Sequence, residues 1–210
     1  GGSAGEQRVT SGVPVAPLLD DVAELARRVE LLSLPHVVAL NQWVDTHAAV
    51  RALPYFDPLD GGADASILIL LEAPARHAMR PRFVSRDNPG PAQRNLQRFL
   101  AQAAVARART VLWNTVPWLA DEQAPPARLG VAAVRAGIAM LGDVLDLLPC
   151  LRVVVLAGRT ARQAHAAIEA RRPGLIVLEM PHPSPLSVCT SPTVAPQIVA
   201  TLARAAQLAR

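Results

Sequence analysis

The chain contains no lysine, so all 21 of its basic residues are arginine. That absence excludes a side-chain Schiff base, a Walker-type phosphate lysine and a lysine-dependent lyase step. Arginine's planar, permanently charged fork still suits phosphate, and a GC-rich coding sequence explains the bias without any functional selection. Cysteine is nearly as scarce. Cys150 and Cys189 are too few for a disulfide framework, and two thiolates fall short of the four that a structural zinc or an iron–sulfur cluster usually takes. The expectation is reduced thiols, with neither metal nor cofactor. His36, His47, His77 and His165 add no metal site, because no two of them sit at ligand spacing with a carboxylate or thiolate.

No apolar run approaches the roughly 20 residues that cross a bilayer, and the first residues lack the charged-then-apolar pattern of a secretory signal. No membrane partner is therefore expected, the scarce cysteines point to a cytoplasmic setting, and a monomer is expected. Gly1-Gly2-Ser3 reads as a tag remnant. What is present is a chain of 210 residues, 51% apolar, which suits one sizeable domain with its own core. The formal charge of +4 is compatible with nucleic acid without arguing for it.

Leu18, Val22, Leu25, Val29 and Leu32 recur at helical spacing, so the pattern predicts an amphipathic helix over residues 17–33. Pro54 to Asp64 is rich in Pro, Gly and Asp and reads as an irregular loop. Beyond it, short apolar runs at Ser66–Leu71, Thr110–Val116, Leu151–Ala157 and Leu175–Glu179 read as four buried strands. Segments with helical periodicity near 91–106, 128–148 and 159–171 separate them, and a last helix is predicted over about 194–209. The order predicts a single α/β domain over residues 66–210. Its four-stranded, mainly parallel central sheet is flanked by helices, and residues 1–65 form a helical extension packed on the core.

In open sheets of this kind, ligands bind beyond the carboxyl ends of the strands. The polar residues fall there. The first strand ends in Glu72-Ala73-Pro74, the second carries Asn114 before Pro117-Trp118, the third runs into Gly158-Arg159-Thr160, and the fourth is followed by Pro181-His182-Pro183-Ser184-Pro185-Leu186-Ser187. A carboxylate, an amide, an imidazole and a glycine turn thus meet on one sheet edge.

With these residues in place, the sequence resembles the uracil-DNA glycosylase superfamily over roughly residues 66–190. The run His182 to Ser187 is similar, almost letter for letter, to the minor-groove loop of the superfamily's first family. Leu71-Glu72-Ala73-Pro74-Ala75 is similar to the Gly-Glu-Ala-Pro-Gly motif of the iron–sulfur thermophilic family, but departs from it at both ends, and the cluster cysteines are missing. The motifs are therefore mixed. The resemblance implies an enzyme that hydrolyses the N-glycosidic bond of deoxyuridine in single- or double-stranded DNA, leaving an abasic site without a lyase step.

It further implies roles. Glu72 would orient the water and stabilise the cationic sugar, since a carboxylate can do both at an oxocarbenium-like state. Asn114 would read the base with a donor and an acceptor, with Ala73 and Pro74 beside it. His182 would donate to O2 of the departing base. Phe83 matches the aromatic that stacks on the flipped base, with a core role as its rival and Tyr55 or Phe56 as substitutes. Ala75 stands where the first family uses tyrosine to keep out thymine's methyl group. Ser184, Pro185, Leu186 and Ser187 would form the DNA-binding loop, with Leu186 either the wedge at its tip or a leucine packed beneath it. Arg86 and Arg159 are candidate phosphate contacts, and Asp87 or Asn88 would cap the following helix. Two alternatives stay open: a superfamily member that acts on hypoxanthine or xanthine or forms a stable DNA adduct, and a non-catalytic sensor of uracil or abasic sites.

Overall fold

A computed structural model of the chain describes residues 15–121, 123 and 129–210. Gly1-Gly2-Ser3 and residue 128, the expected start of one helix, lie outside the described residues. The elements run α1 (Val22–Glu30), α2 (Val38–Ala48), β1 (Tyr55–Phe56), β2 (Ile67–Leu71), β3 (Phe83–Val84) and α3 (Pro91–Gln102). Then come β4 (Thr110–Asn114), α4 (Val131–Asp146), β5 (Val153–Ala157), α5 (Arg159–Arg162), α6 (His165–Arg171), β6 (Ile176–Met180), α7 (Pro185–Val188) and α8 (Val194–Leu208).

The four predicted strands form one wholly parallel sheet in the order β4-β2-β5-β6. Runs such as Ile67–Leu71 and Val153–Ala157 are continuous rather than alternating because both faces are covered; Leu68, Ile69, Leu70, Val154 and Val155 are fully buried. Helix α8 packs on β5 and β6 and against α3, and α4 packs against α6. The predicted helix over 159–171 is two, α5 and α6, separated by Gln163 and Ala164. The loop predicted over Pro54–Asp64 also contains β1, which pairs in parallel with β3.

The N-terminal segment departs most from expectation. Only Val22–Glu30 of the predicted 17–33 is helical, because the Asp21 side chain accepts from the Glu24 N–H at 3.0 Å and caps the helix there. The apolar stripe does not face inward: Leu18, Val22 and Val29 are exposed, and the buried residues of α1 are Glu24, Leu25 and Arg28. An ion network turns the helix. Arg28 has no exposed surface and places Nη1 2.8 Å from Asp57 and 2.9 Å from Asp87, and Nη2 2.8 Å from Glu24. Arg107 closes the network, with contacts of 2.8 Å to each of Asp57, Asp60 and Asp87. Burial pushes the Asp60 carboxyl up to about 6, against the pull of Arg107 and Arg86.

Asp87 is thus a buried partner of two arginines rather than the cap predicted for the following helix. Gly90, the residue before α3, gives the helix no side-chain cap, and Asn88 donates to the Phe83 carbonyl at 2.8 Å. Helix α2 was not anticipated. One of its three buried residues is polar, Asn41, and its amide exchanges hydrogen bonds with the backbone N–H and C=O of Phe56.

Candidate active site

Glu72 follows the last residue of β2, and Asn114 is the last residue of β4, with Leu71 and Asn114 opposite one another in the register. The ladder continues past both strands. Thr115 N–H donates to the Leu71 carbonyl and Val116 N–H to the Glu72 carbonyl, each at 2.9 Å, and Thr115 Oγ1 adds a bond of 2.8 Å to Leu71. Helix α4 clamps this turn: a Cβ on Gly137 would lie 1.9 Å from the Thr115 carbonyl oxygen, so only glycine allows the approach. The backbone segments that carry the carboxylate and the amide are therefore fixed beside one another.

Both residues line a cavity of about 740 Å³ at the carboxyl end of the sheet, together with Ala73, Pro74, Trp118, His182, Pro183, Ser184 and Pro185. Asn114 is only 5% exposed, yet its side chain has no hydrogen-bond partner among the described residues. Its amide is open to the cavity, where it presents a donor and an acceptor that no described side chain or backbone group occupies. Glu72 is exposed at the mouth, where Thr160 Oγ1 donates to its Oε1 at 3.3 Å.

His182 is fixed from two sides. The Ser184 N–H donates to its Nδ1 at 3.1 Å, which makes Nδ1 an acceptor and places the proton of the neutral ring on Nε2. No partner occupies Nε2 among the described residues. Gly158 forms the other wall at φ +89, where a Cβ would stand 3.0 Å from the His182 Cβ and 3.5 Å from its Cδ2. Burial holds the imidazole below its usual pKa, only partly opposed by the charge of Glu72. The site thus offers a neutral N–H donor opposite a carboxylate and an amide.

The loop beyond His182 is built as a short helix. Ser184 caps α7 by accepting from the Ser187 N–H at 3.3 Å, and Asn95 of α3 donates to the Pro183 carbonyl at 2.9 Å. Leu186 projects from α7 with 85% of its surface exposed. That excludes the reading in which it packs beneath the loop. Leu186, Ser187 and the exposed Arg159 lie outside the cavity lining.

Two sequence expectations fail on geometry. Phe83 is 2% exposed and belongs to a separate cluster with Leu19 and Leu25, away from the cavity, so it cannot stack on a bound base. Its suggested substitutes fare no better: Phe56 is buried and stacked on Trp113 at 4.4 Å, and the Tyr55 hydroxyl donates to Asp45 at 2.5 Å. Arg86 is 6% exposed and donates to Thr110 Oγ1 at 2.7 Å, 3.7 Å from Asp60, so it is withdrawn from any phosphate.

The aromatic in the cavity wall is Trp118. It stands four residues beyond Asn114, in the Pro117-Trp118 stretch at the end of the second predicted strand, whereas the resemblance pointed to Phe83. The guanidinium carbon of Arg51 lies 4.5 Å from the Trp118 ring centre, a contact worth about 0.5–1 kcal/mol at an exposed site. Ala75 lines the cavity as an exposed methyl group and leaves its space open. Among the described residues no group of three or more His, Cys, Asp or Glu could hold a metal ion.

No curated protein sequence matches the chain. Among solved structures it is similar to a mimivirus UNG variant in complex with UGI, at 14% identity and a TM-score of 0.40, over 80% of this chain and 79% of that one. A family model does match. Residues 58–206, the stretch that carries Glu72, Asn114 and His182 on their strand ends, match the Uracil DNA glycosylase superfamily, and the chain belongs to that superfamily.

Proposed function

We propose that this DNA glycosylase hydrolyses the N-glycosidic bond of deoxyuridine in DNA and stops at the abasic site. The observation that carries the reading is the Asn114 amide, on a residue only 5% exposed, open to a cavity whose wall it shares with Glu72 and His182. An amide donates to O4 and accepts from N3–H of uracil, whereas cytosine presents the reverse pair. Leaving such groups unpaired supports discrimination of about ten-thousand-fold or more.

The residues divide the reaction. As the bond between C1′ and N1 breaks, Glu72 stabilises the cationic sugar and orients the water, whose oxygen adds to C1′ and whose proton passes to the Glu72 carboxylate. The base departs as an anion, and the Nε2–H of neutral His182 donates to its O2; one such donor is worth about 2.7–4 kcal/mol where it has been removed elsewhere. With no lysine in the chain, no side-chain amine is available for β-elimination.

A second reading, a deaminated purine as the preferred base, draws support from one observation. Ala75 leaves open the space that an aromatic side chain would fill, in a cavity of about 740 Å³. Labelled oligonucleotides carrying uracil, hypoxanthine, xanthine or thymine, scored for abasic sites after alkali, separate the two. Release of uracil first, with Glu72→Gln slowing cleavage while sparing binding and Asn114→Ala weakening both, is the expected result. Purine release with uracil untouched would replace the first reading by the second.

A further inference from the structure

We propose that Arg51, which lies before the stretch matched by the family model, is a phosphate contact of the active-site cleft, held for that purpose on the face of Trp118. The inference rests on the reading of the cavity as a DNA site. Arg51 and Trp118 both line the cavity, with the guanidinium carbon 4.5 Å from the ring centre. No hydrogen bond or ion pair to the Arg51 guanidinium occurs among the described residues. The carboxylates that share the cavity lining, Glu72 and Asp121, leave it unpaired.

The placement is built by the backbone on both sides. Arg51 N–H donates to the His47 carbonyl at 3.4 Å at the end of α2, and the Leu119 N–H donates to the Ala52 carbonyl at 3.0 Å. The second bond ties the N-terminal segment directly to the loop that carries Trp118. The contact with the ring uses the charge of the guanidinium and none of its N–H donors. Those donors, held in a planar fork, match the paired oxygens of a phosphodiester. A cation so placed at the rim of a pocket for an extruded base meets the backbone flanking that nucleotide. By contrast Arg86, one of the two contacts suggested by sequence, is buried against Thr110 and Asp60, and Arg159, the other, lies outside the cavity lining.

The test measures equilibrium binding of the full chain to a duplex oligonucleotide carrying 2′-fluorodeoxyuridine, which resists cleavage, between 50 and 200 mM NaCl. Each phosphate contact contributes about −0.9 to the slope of log affinity against log salt for duplex DNA. Arg51→Gln is expected to make the slope shallower by about 0.9, so that the wild-type advantage shrinks about 3.5-fold across that range. Arg51→Lys, which keeps the charge, is expected to restore the wild-type slope. An unchanged slope for Arg51→Gln, in a protein that releases uracil from an ordinary oligonucleotide, overturns the inference. A wild-type protein that binds DNA but releases no base refutes the glycosylase reading instead, and the same pair of slopes still decides Arg51.

Discussion

Leu186→Ala tests whether the His182 to Ser187 loop enters DNA. In the free protein 85% of the Leu186 surface is exposed, so its removal leaves no cavity, and folding stability is expected to change by no more than about 0.5 kcal/mol. For a chain of this size that is a shift of about 2 °C or less in melting temperature. A leucine beneath the loop would have cost about 2–5 kcal/mol. The effect on catalysis differs. The substitution removes three carbons, and at about 0.8 kcal/mol per buried CH₂ the loss for a side chain fully inserted into the base stack is about 2.4 kcal/mol. At 1.4 kcal/mol per tenfold, that is roughly 50-fold.

The loss should depend on the substrate, because extruding a base costs a few kcal/mol in a duplex and much less in a single strand, and the wedge offsets that cost by filling the vacated stack. The assay is kcat/KM for uracil release from three oligonucleotides: duplex opposite adenine, duplex opposite guanine, and single-stranded. The expected order of loss is adenine, then guanine, whose wobble pair is already weaker, then single strand. Equal losses on all three, at an unchanged melting temperature, would refute the wedge and with it the placement of the loop over the minor groove.

Three further predictions address the groups around it. Because burial holds His182 below its usual pKa, the folded chain takes up this proton at a lower pH than the unfolded chain does. Its contribution to stability is whole above 6.5 and declines below it, where the unfolded chain takes up the proton more readily; an NMR titration of His182 with a midpoint at or above 6.5 would contradict this. Gly158→Ala forces a side chain into φ +89 and against the His182 ring, so a stability loss of about 1–3 kcal/mol should accompany slower single-turnover release with DNA affinity kept; an unchanged rate would show that Gly158 does not position the histidine. Arg28→Ala leaves Glu24, Asp57 and Asp87 without their shared cation, at an expected cost of about 3–5 kcal/mol in thermal or urea denaturation; a loss below about 1 kcal/mol would mean that the network does not hold α1 in place.

The sheet was legible in the sequence because its strands are apolar along their whole length. Ile67–Leu71 and Val153–Ala157 are buried on both faces, and a continuous run flanked by helical periodicity leaves few other ways to hide that much surface. The N-terminal segment was less legible because charge decides its packing. Periodicity placed Val22 and Val29 on the inner face, but three acidic residues around Arg28 outweigh two exposed valines: an unpaired buried guanidinium costs more than apolar surface left in water. Since Asp57 and Asp87 are distant from Arg28 in sequence, no local pattern announces the network.

The same distinction runs through the site. Glu72, Asn114 and His182 could be located because each stands at or just past a strand end, and parallel register carries all such residues to one edge whatever the intervening loops do. Phe83 could not be located by counting from Glu72, because the path of a loop is set by what it pairs with. Residues 83–84 pair with β1, and that pairing turns the ring toward Leu19 and Leu25. Trp118 follows the first rule, since Thr115 and Val116 continue the β2–β4 ladder and deliver the chain past Asn114 into the cavity wall. Arg51 follows neither rule. It reaches the wall through one backbone bond from Ala52 to Leu119 and one ring contact, neither of which leaves a periodic trace. Two isolated tertiary contacts form no motif, whereas Arg86 and Arg159, the phosphate contacts expected from sequence, stand within or beside segments that the strand pattern marks.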